Sequence, residues 1–177
     1  HNPKGLALFV LAWLDRYNRD PRSEYLESAE TILKLLLRIR SRGEWAGSCW
    51  GYHYPWQDAG FYAPNGLPNA VVTAFVCEAF LEAYRVTGKH VYLDTVRSAI
   101  QFFLKNLISL KDEPNELCLS YMPVAMTTKV LDVSLLIAAT IAEYSRMSED
   151  NKNLEIAHRL TNYVVKQQTK EGAWFYT

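Results

Sequence analysis

At 177 residues, with 49% hydrophobic and 13% aromatic side chains, the chain has the length and apolar content for one domain with a sizeable core, which excludes a disordered polymer. Its 19 basic residues balance 19 acidic ones, so no net field recruits nucleic acid or an anionic membrane. No apolar run of about 18 residues is present to span a bilayer, no signal peptide is visible, and three cysteines do not make a secreted disulfide framework, so a cytoplasmic setting is expected.

Taken in chain order, Leu6–Tyr17 reads as a largely apolar helix stopped by Asn18-Arg19-Asp20-Pro21. Tyr25, Leu26, Ala29, Ile32, Leu33 and Leu36 then recur at helical spacing with Glu27, Glu30, Lys34 and Arg38 between them, an amphipathic helix with one wet side. Arg38, Arg40 and Arg42 follow as a small basic cluster, read as a solvated helix end with acidic-sugar binding as the alternative. After a long connection, Asn69–Tyr84 is again helical, and Ala70 to Cys77 carries no charge at all. Val86-Thr87-Gly88-Lys89 is a turn, and Val96, Ala99, Ile100 and Phe103 form the next amphipathic stripe. A second long connection leads to an apolar helix over Asp132–Tyr144, whose early acid suits the helix dipole. Ser148-Glu149-Asp150-Asn151 turns the chain into a last amphipathic helix carrying Ala157, Leu160 and Val164. Glu82 and Glu143 stand three residues before Arg85 and Arg146 and are expected to pair with them at the short-turn end.

The pattern repeats. Tyr17, Tyr84 and Tyr144 close the first helix of each unit, at intervals of roughly sixty to seventy residues. One hairpin cannot bury its own apolar face, so helices apolar all round must be enclosed by neighbours while the amphipathic ones shield them. The expectation is an all-α protein of repeated helical hairpins forming part of an α/α toroid. Residues 1–177 make one segment of about three hairpins, and both ends read as cuts through a longer protein. Three hairpins leave inner-helix surface uncovered, which suits self-association.

The outer-to-inner connections, Ser41–Pro68 and Ser109–Lys129, are long, and chain direction gathers both where the inner helices begin. Between Trp45 and Tyr62 stand eight aromatic side chains, counting His53. Flat rings pack on sugar C–H faces while neighbouring polar groups bond hydroxyls, so Trp50, Tyr52, Tyr54, Trp56, Tyr62, Asn65 and Tyr121 are the expected saccharide-binding residues. His53 and Asp58 are the expected acid–base pair. The competing reading has the same rings packing on one another to cap the barrel. Tyr52, Tyr121 and Tyr176 occupy matching places after short extended runs and are expected to pin adjacent hairpins. Cys49, Cys118 and His53 could meet as an open zinc site, but no CxxC or HxxxH pairing supports it, so no metal and no cofactor is expected.

These residues resemble the six-hairpin toroid enzymes and related repeat proteins, a group of glycosidases, uronate-processing enzymes, polysaccharide lyases, epimerases, terpene cyclases and prenyltransferases. Gln167-Gln168-Thr169-Lys170-Glu171-Gly172-Ala173-Trp174 is similar to the Gln…Gly-x-Trp repeat of the cyclase and prenyltransferase branch. Cys49-Trp50-Gly51-Tyr52, Pro68-Asn69, Thr73-Ala74-Phe75-Val76, Ser120-Tyr121-x-Pro123 and the Gly172-x-Trp174-x-Tyr176 ending resemble a toroid family associated with polysaccharide-biosynthesis loci, over nearly the whole chain. The chain departs from that family after Ser-Tyr-x-Pro, where Lys129-Val130-Leu131-Asp132 replaces a His-Asn-rich stretch, and an Asp-rich cyclase motif is absent. The resemblance implies a protein that binds or processes oligo- or polysaccharide by acid–base chemistry. The alternatives are a non-catalytic helical scaffold and a zinc-dependent cyclase or transferase.

Overall fold

A computed structural model describes residues 1–57, 60–126 and 128–176. Among the described residues six helices run in three antiparallel pairs: α1 (Pro3–Arg19) with α2 (Ser23–Arg38), α3 (Ala70–Thr87) with α4 (His90–Asn106), and α5 (Leu131–Ser148) with α6 (Leu154–Val165). Local chemistry sets their ends. Asn2 Oδ1 accepts the Gly5 N–H at 3.0 Å ahead of Pro3, and Asn69 Oδ1 accepts the Val72 N–H at 2.8 Å, so both helices start on a side-chain cap. Gly88 ends α3 in the left-handed region (φ 66°), its N–H on the Tyr84 carbonyl at 2.7 Å. Glu149 takes the same conformation after α5 (φ 59°) without glycine's freedom, at a cost of about 1 kcal/mol.

Inner and outer helices alternate as the hydrophobic pattern requires. The inner row is α1, α3, α5, with α3 packed against both others and buried on nearly every side. Helix α1 departs from the expectation for an all-round apolar helix: Leu8 and Phe9 are 46% and 64% exposed, because no fourth hairpin lies on that side. Leu135 on α5 is also exposed at the opposite edge. At the short-turn end the expected pairs form. Arg85 Nε donates to Glu82 Oε2 at 2.8 Å, Asn18 adds a bond to the same carboxylate across the α1–α3 seam, and Arg146 Nε reaches Glu143 Oε2 at 2.8 Å. Partly exposed pairs of this kind contribute about 0–1 kcal/mol each, so the fold rests on the apolar core and not on them.

The long connections hold structure that helical periodicity did not reveal. The first carries a minimal antiparallel hairpin, β1 (Trp56–Gln57) against β2 (Tyr62–Ala63). The second carries β3 (Ser109–Glu113) and β4 (Glu116–Leu119), joined through Pro114 and Asn115. Buried Glu116 is clamped between Lys111 Nζ (2.7 Å) and Lys166 Nζ (2.6 Å), which ties this hairpin to the end of α6 and holds the carboxyl below its usual range.

Candidate functional site at the mouth of the inner helices

Two of the inner helices, α3 and α5, begin on the carbonyl of a tyrosine from the segment that follows their own outer helix. The Ala70 N–H opening α3 donates to the Tyr121 carbonyl at 2.9 Å, and the Leu131 N–H opening α5 donates to the Tyr176 carbonyl at 3.4 Å. Next to Ala70, the Asn69 N–H donates to the Trp50 carbonyl at 3.1 Å, while the Trp50 N–H bonds the Thr73 hydroxyl at 3.1 Å. Residues from both long connections therefore meet at one mouth, on consecutive residues at the start of α3.

A run of rings lines that meeting point. Tyr54 stacks on Tyr52 with centroids 5.2 Å apart, Tyr52 meets Trp56 edge-on at 6.0 Å, and Trp56 meets Phe61 at 4.7 Å. Both Trp56 and Phe61 then reach Tyr121 of the second connection at 6.0 Å. Tyr54 and Tyr62 are 45% and 59% exposed, Asn65 is exposed, and Trp56 and Tyr52 are half-buried. Burial and the neighbouring Tyr54 push the Tyr52 phenol up, so it remains a neutral donor and acceptor over the ordinary pH range.

Two of the expected site residues are placed differently. Trp50 is fully buried, packs on Phe80 at 6.0 Å, and donates its indole N–H to the Leu36 carbonyl at 2.8 Å. No face of that ring is open to a ligand; it bolts the first connection to the end of α2. Trp174 makes the corresponding bond to the Val164 carbonyl of α6 at 2.9 Å, so the two tryptophans share a structural role in different repeats. Tyr121 is only 9% exposed and presents little more than an edge.

His53 lies at the rim, its backbone N–H on the His1 carbonyl and its Nε2 3.3 Å from the Ile39 carbonyl. A carbonyl can only accept, so Nε2 carries a proton in that contact. Asp58, its expected partner, falls outside the described residues. The zinc alternative loses its ligands: among the described residues no three His, Cys, Asp or Glu side chains come together. Cys49 is buried in the main core with its thiol pushed up to about 12 by burial, whereas Cys118 packs with Tyr163 and Val164 in a separate cluster.

Sequence reasoning passed over two features. Phe61 links Trp56 to Tyr121 in the ring run, an ordinary loop phenylalanine by sequence whose place beside Trp56 goes with the β1–β2 pairing. Glu78 interrupts the apolar face of α3 within a concavity of about 310 Å³ between the inner helices, walled by Leu11, Ala74, Leu136 and Thr140. Burial and, next, the Glu82 charge raise its carboxyl above the usual range. The available signal was a charge placed directly after the uncharged stretch Ala70 to Cys77, one turn before the Glu82–Arg85 pair.

Solved structures of similar shape can now be set beside this geometry. D-mannose isomerase matches with a TM-score of 0.73 at 18% identity, covering 99% of this chain and 46% of that one. Cellobiose 2-epimerase from Bacillus thermoamylovorans matches at 0.72 and 14% identity, covering 96% of this chain and 46% of that one. The GH76 α-mannanase of Bacteroides thetaiotaomicron matches at 0.65 and 19% identity, over 89% of this chain and 42% of that one. The fold is the α/α toroid. No family model and no curated protein matches the chain. The chain spans just under half the length of those structures. Among the described residues, no helix of the toroid is long and apolar enough to cross a membrane.

Proposed function

We propose that this chain builds one wall of a saccharide site and belongs to a carbohydrate-processing protein. The observation that carries the reading is the continuous run of rings Tyr54–Tyr52–Trp56–Phe61–Tyr121, which crosses from one long connection to the other at a single mouth and leaves exposed phenols and Asn65 beside it. Support comes from three toroids of similar shape whose names are those of enzymes acting on mannose, mannan and cellobiose. In this reading Tyr52, Tyr54, Trp56 and Tyr62 are the platform, Asn65 bonds hydroxyls, and Trp50 and Tyr121 hold the platform from behind. His53 is the proposed acid–base group, with Nδ1 taking or giving the proton at a sugar oxygen or carbon and Asp58 as its proposed partner. Three buried free thiols support a cytoplasmic setting.

Tryptophan fluorescence titrated with manno-oligosaccharides and cellobiose tests the reading. Millimolar or tighter binding is expected, weakened roughly two- to tenfold in Tyr54→Ala, the loss of one aromatic contact worth about 0.5–1.5 kcal/mol. Tyr54 is exposed, so its melting temperature should hold. His53→Ala should abolish turnover of any converted sugar while leaving affinity close to wild type. A flat titration across millimolar ligand leaves the scaffold reading in its place.

Self-association is part of the proposal, because Leu8, Phe9 and Leu135 leave both edges of the inner row apolar and uncovered. Sedimentation equilibrium reads it directly. A single monomeric species up to tens of micromolar would remove this element.

A further inference from the structure

Beside the ring run, the end of α2 and the first connection form a surface cavity of about 530 Å³ lined by Arg38, Arg40, Arg42, His53 and Asn65, with no carboxylate among the described residues of its walls. Arg40 is held in place: Nε donates to the Leu37 carbonyl at 2.8 Å and a terminal nitrogen to Ser48 Oγ at 3.1 Å. The side chains of Arg38 and Arg42 make no hydrogen bond or ion pair among the described residues. Most other arginines of the chain are paired, as Arg19, Arg22, Arg85, Arg97, Arg146 and Arg159 are. Part of this cluster answers the negative pole of α2, which accounts for one cation in the last turn and not for three around one hollow. Guanidinium groups gathered around one hollow repel one another, and an oxyanion relieves that repulsion while accepting N–H bonds from their forks.

The position adds the second half of the argument. His53 lines this cavity and stands in the chain between Tyr52 and Tyr54, the first two rings of the run. Asn65 and Gly66 line it too, and the Gly66 N–H bonds the Tyr52 carbonyl at 2.8 Å. The hollow and the platform are thus two sides of the same stretch of chain. We infer that this cavity binds the anionic group of an acidic saccharide, the carboxylate of a uronate or the phosphate of a sugar phosphate, while the neutral part of the ligand lies on the rings. The inference rests on the saccharide reading above and narrows it to a charged substrate class.

Calorimetry at low salt tests it with an oligouronate, a hexose phosphate and the neutral counterpart of each, on the wild type and on the Arg38→Gln/Arg42→Gln double variant. Both side chains are exposed and unpaired, so the variant should melt as the wild type does. At least one charged ligand is expected to bind tenfold or more tightly than its neutral counterpart, with that margin shrinking in salt and vanishing in the double variant. Which charged ligand shows the margin identifies the carboxylate or the phosphate as the group recognised. Equal affinity for charged and neutral ligands, or a margin that survives the double variant, overturns the anion site and leaves the saccharide reading standing. Failure of all the ligands to bind overturns both.

Discussion

Trp50→Ala is expected to destabilise the protein by about 3–5 kcal/mol, the range for removing a large buried ring, and to lower the melting temperature by roughly 10 °C or more. The side chain is fully buried against Phe80, and its removal strands the Leu36 carbonyl at the end of α2 as well as opening a cavity. Trp50→Phe separates the two contributions, since it refills much of the volume but cannot donate to Leu36; it should recover more than half of the loss. Urea unfolding of the two variants measures both. A tryptophan acting as a sugar platform would behave in the opposite way, with a Phe variant of normal stability and weakened saccharide binding. That result would return Trp50 to the ligand surface and remove the structural role assigned to it.

Gly51→Ala should disrupt the mouth itself. A Cβ at this position would stand 1.9 Å from the Leu67 carbonyl oxygen and 2.5 Å from its carbon, and these are backbone atoms that no rotamer change can move aside. The Trp50–Tyr52 strip would have to lift from Leu67 and Pro68. That strip holds two of the bonds that shape the site, Asn69 N–H to Trp50 O (3.1 Å) and Gly66 N–H to Tyr52 O (2.8 Å). The expected cost is about 1–3 kcal/mol or more, the scale of overpacking, with saccharide binding lost together with stability. Gly66→Ala is the control. Its φ of 78° carries only the left-handed penalty of about 1–2 kcal/mol, and nothing lies within 4 Å of an added Cβ. Titrations of the pair should therefore differ, with binding lost in Gly51→Ala and kept in Gly66→Ala, and identical behaviour would refute the close approach as the reason for glycine at Gly51. Gly47, whose Cβ would meet the Ser98 carbonyl oxygen at 1.8 Å, anchors the same connection to α4 in the same way.

Much of the architecture could be read from periodicity. Apolar spacing around the whole circumference of Ala70 to Cys77, against one-sided stripes such as Tyr25, Ala29, Leu33 and Leu36, distinguished inner from outer helices, and the structure bears that out for α3 and α2. Chain direction then required both long connections to emerge at one end. The matching places of Tyr52, Tyr121 and Tyr176 suggested contacts between adjacent hairpins; Tyr121 and Tyr176 instead receive the first N–H of the inner helix of their own unit, and it is the rings of Trp56 and Phe61 on Tyr121 that join one repeat to the next. What misled was the individual residue. Trp50 and Trp56 belong to the same aromatic stretch, and composition alone does not say which of them turns inward.

Sequence by itself thus determined the hairpin repeat, the division into buried and half-wet helices, and the end of the molecule where rings gather, because each follows from spacing along a helix or from chain polarity. Only tertiary structure decided that Trp50 is a bolt and Tyr54 a surface, that Phe61 joins the ring run, and that Arg38, Arg40 and Arg42 share one hollow with His53. Those outcomes depend on how an irregular connection folds over its neighbours, through the β1–β2 pairing and the close approach at Gly51, and such contacts leave no period in the sequence.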